Sequence, residues 1–198
     1  MAGSKAVDHL KACLGRLPGI GPKTSERLTY HLLRADARQA VELADAILAA
    51  RESTKVCSVC FNLDDVDPCS VCADASRDQS IILVVEDPRE VGVFLTAEYR
   101  GLFHVLQGRV SSLEGIAEDD LTVAQLVRRL RASEVHEVCL ATNPDLEGEA
   151  TARMIAERIA DLDVTVTRLA RGIPAGASIT QVSQIILADA VEGRRPMA

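Results

Sequence analysis

Four cysteines constrain this chain more than anything else in it: Cys57-x-x-Cys60 and Cys69-x-x-Cys72, with eight residues between the pairs. Two CxxC knuckles joined by a short loop can fold four thiolates around one tetrahedral Zn²⁺ with little strain. A cluster this small buries too little apolar surface to hold itself, so the metal would supply much of its folding free energy. A disulfide framework and a redox CxxC are the alternatives. Both fit less well, because the N-terminus runs from Met1 into a charged amphipathic stretch without the apolar core of a secretory signal. That implies a cytoplasmic chain, where thiols stay reduced and paired cysteines point to metal first. The expectation is one structural Zn²⁺ per chain. Cys13 and Cys139 lie in apolar periodic segments and are expected to be small buried hydrophobes.

Composition narrows the partners. A hydrophobic content of 47% over 198 residues supports a real core in one large or two small domains. No apolar run reaches the ~18–20 residues of a membrane span, so no membrane partner is expected. Aromatic residues make up 3% with no Trp, which argues against a base-stacking platform. The formal charge of −7 is unevenly divided. Residues 1–55 carry nine Lys/Arg against six Asp/Glu, whereas residues 56–198 carry 13 against 23. A basic N-terminal portion can still hold phosphate, because association follows the local patch.

That portion reads as two helices around a tight turn, with Val7, Leu10, Cys13 and Leu14 spaced as one helix face before Leu17-Pro18-Gly19-Ile20-Gly21-Pro22-Lys23-Thr24. Gly19 and Gly21 permit a tight turn and bare backbone amides, and Pro22 suits the first position of the next helix. Lys23 and Arg27 fall four apart, on one face, beside an N-terminus that favours anions. Together they make a sequence-independent phosphate clamp for DNA. The segment closely resembles a helix–hairpin–helix DNA-binding motif; an ordinary αα-hairpin is the plainer alternative. A P-loop fails, since Pro22 stands where Walker A needs Gly. Residues 37–52 form an Ala/Leu-rich helix whose stripe of Val41, Ala44, Ile47 and Leu48 needs a partner.

From Ile81 onward strands and helices alternate. Strands are expected at 81–85, 103–106, 135–141 and 164–169, and helices at 122–132 and 147–160. This is an open α/β sheet, whose chemistry gathers beyond the strand carboxyl ends. Glu86 falls there, and so does the run Asn143-Pro144-Asp145-Leu146-Glu147-Gly148-Glu149. The two acidic clusters resemble the Toprim fold, whose catalytic form binds Mg²⁺ through a Glu and a later D-x-D. Asn143 replaces the first Asp, leaving Glu86, Asp145 and Glu147 as a weak Mg²⁺ or partner site. A solvated acidic loop capping the helix that follows is the equal alternative.

The order of modules, a helix–hairpin–helix, a four-cysteine zinc knuckle and a Toprim domain, resembles the RecR family of bacterial recombination mediators. The resemblance covers nearly the whole chain, including Tyr99-Arg100-Gly101-Leu102-Phe103-His104-Val105-Leu106, Arg168-Leu169-Ala170-Arg171-Gly172-Ile173-Pro174 and Gly193-Arg194. It implies an α+β multi-module chain: 1–55 helix–hairpin–helix, 56–78 zinc finger, 79–172 Toprim with a mostly parallel sheet, and 173–198 a helical tail for oligomerisation. It also implies a non-enzymatic DNA repair factor, a dimer or ring-like tetramer acting near the nucleoid. Such a factor works with RecO and RecF to load RecA onto single-stranded DNA coated by SSB. The tail departs from the family pattern, with Thr180, Gln181 and Ser183 where Glu, Tyr and Asp are usual. The competing class is a Mg²⁺-dependent Toprim enzyme, a nuclease or a primase- or topoisomerase-like fragment. Asn143 counts against it, as does the lack of any tyrosine other than Tyr30 and Tyr99. A pure interaction scaffold is a third reading.

Overall fold

The computed structural model describes residues 4–194, in two compact units, Met1–Thr54 and Lys55–Ala198. The first is helical throughout: α1 (Lys5–Leu14), α2 (Pro22–Arg34) and α3 (Ala37–Ser53). Its buried residues, among those described, are Ser25 and Thr29 on α2. Small polar side chains can be buried there because they satisfy themselves on the helix backbone, Thr29 Oγ1 donating to the Ser25 carbonyl at 2.7 Å and Ser25 Oγ to the Pro22 carbonyl at 3.0 Å. Cys13 corrects one expectation: it is exposed, whereas Cys139 is buried. Three short helices enclose too little volume to bury every periodic position. The α3 stripe stays open for the same reason, with Val41, Ile47 and Leu48 58–61% exposed.

The second unit begins with the cysteine segment, which forms a two-residue hairpin, β1 (Lys55–Val56) against β2 (Leu63–Asp64), and one helical turn, α4 (Ser70–Ala73). A four-stranded sheet follows, all parallel, in the order β4-β3-β5-β6, formed by β3 (Asp78–Val85), β4 (Gly101–Val105), β5 (Glu137–Leu140) and β6 (Thr165–Arg168). The intervening helices are α5 (Pro88–Thr96), α6 (Val123–Arg131) and α7 (Leu146–Arg158), with α8 (Gln184–Glu192) near the end. The expected α+β multi-module fold with a parallel sheet is therefore what the chain adopts. Helix α5 is an addition, started by a capping box in which Asp87 and Glu90 satisfy each other's backbone amides.

The period-2 alternation of the strands divides the core into two layers. One face carries Ile82, Val84, Leu102, Leu106, Val138 and Leu140 against Leu126 and Leu130 of α6 and Ala152 and Ile155 of α7. The opposite face carries Leu83, Val85, Phe103, Val105, Cys139 and Ala141, and its cover includes Val91 of α5 and the knuckle residues Cys57, Cys60, Cys69 and Val71. The cysteine segment is thus half a layer of core rather than an appendage. The segment and α6 together cover part of the outer edge of β4: the Cys60 carbonyl accepts from Val105 N–H at 2.8 Å, and Arg129 of α6 donates to the Phe103 carbonyl at 2.6 Å.

His104, on β4, is fully buried, with Nε2 3.1 Å from the Thr122 carbonyl and 3.0 Å from Thr122 Oγ1. Thr122 Oγ1 spends its own proton on the Val105 carbonyl, so Nε2 is the protonated nitrogen, and buried Nδ1 has no partner. Burial pushes the imidazole down to about 4, a shift the nearby Arg129 charge reinforces and the Thr122 hydrogen bond opposes. Below pH 6.5 the unfolded chain takes up a proton that the folded chain refuses, so stability must fall as pH falls from 6.5 toward 4. Between pH 6.5 and 5 the loss is about 1.5 kcal/mol. Urea midpoints measured across that window should flatten in His104→Gln; an identical slope in parent and variant would assign the loss to other groups.

Candidate functional site

Within the cysteine segment the four Sγ atoms all lie within 4.8 Å of one another, and those of Cys60 and Cys69 are 3.5 Å apart. Four sulfurs at tetrahedral Zn–S distances of about 2.3 Å would stand about 3.8 Å apart, so the quartet fits that ion. The local chain is built to present them. The Cys57 amide bonds the Asn62 carbonyl at 2.8 Å and the Phe61 amide the Cys57 carbonyl at 3.0 Å, closing the first knuckle. Val59 and Cys69 amides point at Cys57 Sγ from 3.4 and 3.3 Å.

The electrostatics have the same sense. Burial pushes the Cys57 thiol up, yet the amides of Cys69, Cys60 and Val59 outweigh it and bring it to about 7. Cys60 is driven the other way by its hydrogen bond to Cys72 and by burial, and burial takes Cys69 to about 12. A second thiolate in this pocket is expensive without a cation, and a divalent ion removes that cost. Cys57, Cys60 and Cys69 are completely buried and Cys72 half-buried, so all four sites go to protein ligands and none is left for substrate. The quartet is a structural zinc site. Bound zinc would supply folding energy and hold the two knuckles together.

The acidic residues are arranged differently. Glu86 follows β3 and is buried, and Asn143 faces it, donating from its backbone N–H and from Nδ2, each at 2.8 Å. Asp145 is the N-cap of α7, accepting from the Gly148 amide at 2.8 Å, and this bond holds its carboxyl below the usual range. Between these acids lies Arg109. Its guanidinium meets Asp145 at 2.5 Å, Glu147 at 2.9 Å and Glu86 at 4.0 Å. Ser111 adds a hydrogen bond to Glu147. Among the described residues the cysteine quartet is the one set of three or more such side chains that converges for a metal. The residues expected to form a weak Mg²⁺ or partner site are thus gathered around a guanidinium, which balances part of their charge.

Sequence reading did not find Arg109. The same rule that located Glu86, position just beyond a strand carboxyl end, would have found it after β4.

In the helical unit, Gly19 has φ +78°, the left-handed turn conformation that favours glycine, whereas Gly21 is extended and serves as the N-cap of α2. Gly21 offers no side-chain cap, so the first amides of α2 remain available. Lys23 and Arg27 follow on successive turns, both exposed, and neither is paired with a carboxylate among the described residues. In the tail, Thr180 sits in a 3₁₀ turn, Ile179–Gln181, and Ser183 caps α8 through the Ile186 amide at 3.4 Å. Ile179, Ile185 and Val191 are 65–74% exposed.

Comparison with known proteins agrees with this order of parts. Family models match three successive stretches: the RecR helix-hairpin-helix over residues 7–51, the RecR four-cysteine zinc finger domain over 54–74 and the Toprim domain over 80–170. The chain is 49% identical over 195 residues to the recombination protein RecR of Heliobacterium modesticaldum, covering 98% of each chain. It is 47% identical over 192 residues to that of Moorella thermoacetica, covering 96% of each. With the Leifsonia xyli protein of the same name identity is 43% over 193 residues, 97% of this chain and 98% of the other. With the hairpin, the metal centre and the parallel sheet in that sequence, this chain belongs to the RecR family of recombination proteins.

Proposed function

We propose that the chain is a DNA-binding recombination mediator that does no chemistry on DNA itself. The observation that carries the reading is the pair Lys23 and Arg27, exposed and, among the described residues, without carboxylate partners, one turn apart on α2, directly after the Gly19 turn. Cations so placed beside uncapped amides neutralise phosphate without reading bases. The family match over residues 7–51 supports the same assignment. On this reading the protein works with RecO and RecF to load RecA onto SSB-coated single strands. The acidic surface around Glu86, Asp145 and Glu147 is the face for a protein partner. The open apolar stripes of α3 and α8 support a homo-oligomer, in which several small basic patches act together on one DNA. Its place of action is the cytoplasm, on the nucleoid. The Toprim-enzyme alternative is disfavoured by Asn143, which stands where the first Asp of D-x-D would be, and by the Arg109 guanidinium already paired with Asp145 and Glu147.

Lys23→Ala with Arg27→Ala should weaken binding to every DNA sequence alike and reduce the salt slope by about 2 per protomer. Fluorescence anisotropy across a salt series reads both quantities. Full affinity in the double variant would place the DNA surface elsewhere.

A further inference from the structure

Three non-glycine residues of the second unit, Phe61, Glu98 and Gln107, adopt left-handed backbone conformations, and the first and last are joined by one hydrogen bond. Phe61, immediately after the ligand Cys60, and Gln107, just beyond β4, both have φ +65°. Such a conformation disfavours any residue with a Cβ, so each must be held by its surroundings. The Gln107 side chain is exposed and gains nothing from burial. Its Nε2 donates to the Phe61 carbonyl across 46 positions of sequence. Next to this bond, the Cys60 carbonyl accepts from Val105 N–H at 2.8 Å, and the Phe61 ring packs edge-on to His104 at 5.4 Å. Glycine at 107 would relieve the backbone strain. The glutamine side chain accounts for carrying that strain only through what its amide reaches.

We infer that Gln107 is the latch of the zinc knuckle: by holding the Phe61 peptide it keeps the knuckle turn, and with it Cys60, in the metal-binding conformation. The inference rests on the zinc reading of the quartet and is independent of the DNA reading. Without the latch, Phe61 is free to leave the left-handed region. The turn closed by the Cys57–Phe61 and Cys57–Asn62 backbone bonds then loosens, and Cys60 Sγ moves off the tetrahedral position. The metal leaves faster because the open form of the knuckle is more populated. Directly following Gln107 are Gly108, whose amide bonds the Glu86 carbonyl at 2.9 Å, and Arg109, which clamps the acids. The same short turn therefore anchors the knuckle on one side and the acidic cluster on the other.

The test uses two variants of the full chain, Gln107→Glu, which keeps length and removes the donor, and Gln107→Gly, which removes both donor and strain. Zinc transfer to 4-(2-pyridylazo)resorcinol at neutral pH should be about three- to tenfold faster in both, the loss of one hydrogen bond. The thermal midpoint of Gln107→Gly should stay level or rise, because its backbone strain is gone. Ile159→Val, in the opposite layer of the core, should lower the midpoint and leave zinc transfer unchanged. The latch is overturned if either Gln107 variant releases zinc at the parental rate. It is equally overturned if Ile159→Val accelerates release as much as they do.

Discussion

Reduced protein stripped of zinc by a strong chelator is expected to lose the fold of residues 54–74 and at least about 5 kcal/mol of the second unit's stability. For a unit of this size that lowers the thermal midpoint by roughly 10–20 °C. The reason lies in where the sulfurs sit. Cys57, Cys60 and Cys69 share one apolar layer with Leu83, Val85, Phe103 and Val105. Once the metal goes, Cys60 and Cys69 take up protons as neutral thiols, nothing ties the two knuckles together, and the knuckle lifts from the sheet. What is lost is a face of the core together with a loop. Scanning calorimetry of zinc-loaded, chelated and zinc-restored samples checks this, and Cys60→Ser should mimic the chelated trace. Coincident transitions in loaded and stripped protein would mean the quartet holds no structural metal.

Gly148→Ala is expected to be nearly as damaging, although it adds one methyl to a helix, where alanine normally stabilises. A Cβ at 148 would lie 2.1 Å from the Asn143 carbonyl oxygen and 2.9 Å from Glu86 Oε1. The first of these is backbone and cannot swing away. Gly148 is fastened from both sides, its amide to Asp145 at 2.8 Å and its carbonyl to Thr142 Oγ1 at 2.7 Å, so α7 cannot slide to make room without breaking its own cap. The cost is about 3 kcal/mol or more, from overpacking plus a lost cap. Glu86 and Asn143 would be forced apart in the same movement, so if the acidic face is the partner surface proposed above, a fold that survives should bind that partner poorly. Thermal melts read the first effect and a partner titration the second. A midpoint within a degree of the parent would show that the loop yields after all.

Much of this was legible because buried parallel strands announce themselves as apolar runs, as in Ile81-Ile82-Leu83-Val84-Val85, and because CxxC spacing carries its own geometry. Helix α5 was not read. Its start at Pro88 looks like the end of a strand, and only the Asp87–Glu90 capping box marked it. The burial of Cys13 was misjudged since helical periodicity tells which face is apolar but not whether anything covers it. Arg109 could have been placed by its position beyond β4, but not its pairing: Asp145 and Glu147 lie far along the chain, and no local pattern encodes that meeting. The Lys23 and Arg27 pair was visible since both lie on one helix, where spacing alone fixes the geometry.

The covered part of the outer edge of β4 has one more consequence. With Val105 N–H and the Phe103 carbonyl both taken, this border of the sheet offers no template on which a strand of another chain can build. The metal knuckle supplies the first of these caps and α6 the second, so the knuckle is a guard of the sheet edge as well as a brace. Zinc-depleted protein is expected to self-associate more readily with rising concentration, because the Val105 N–H is then uncovered.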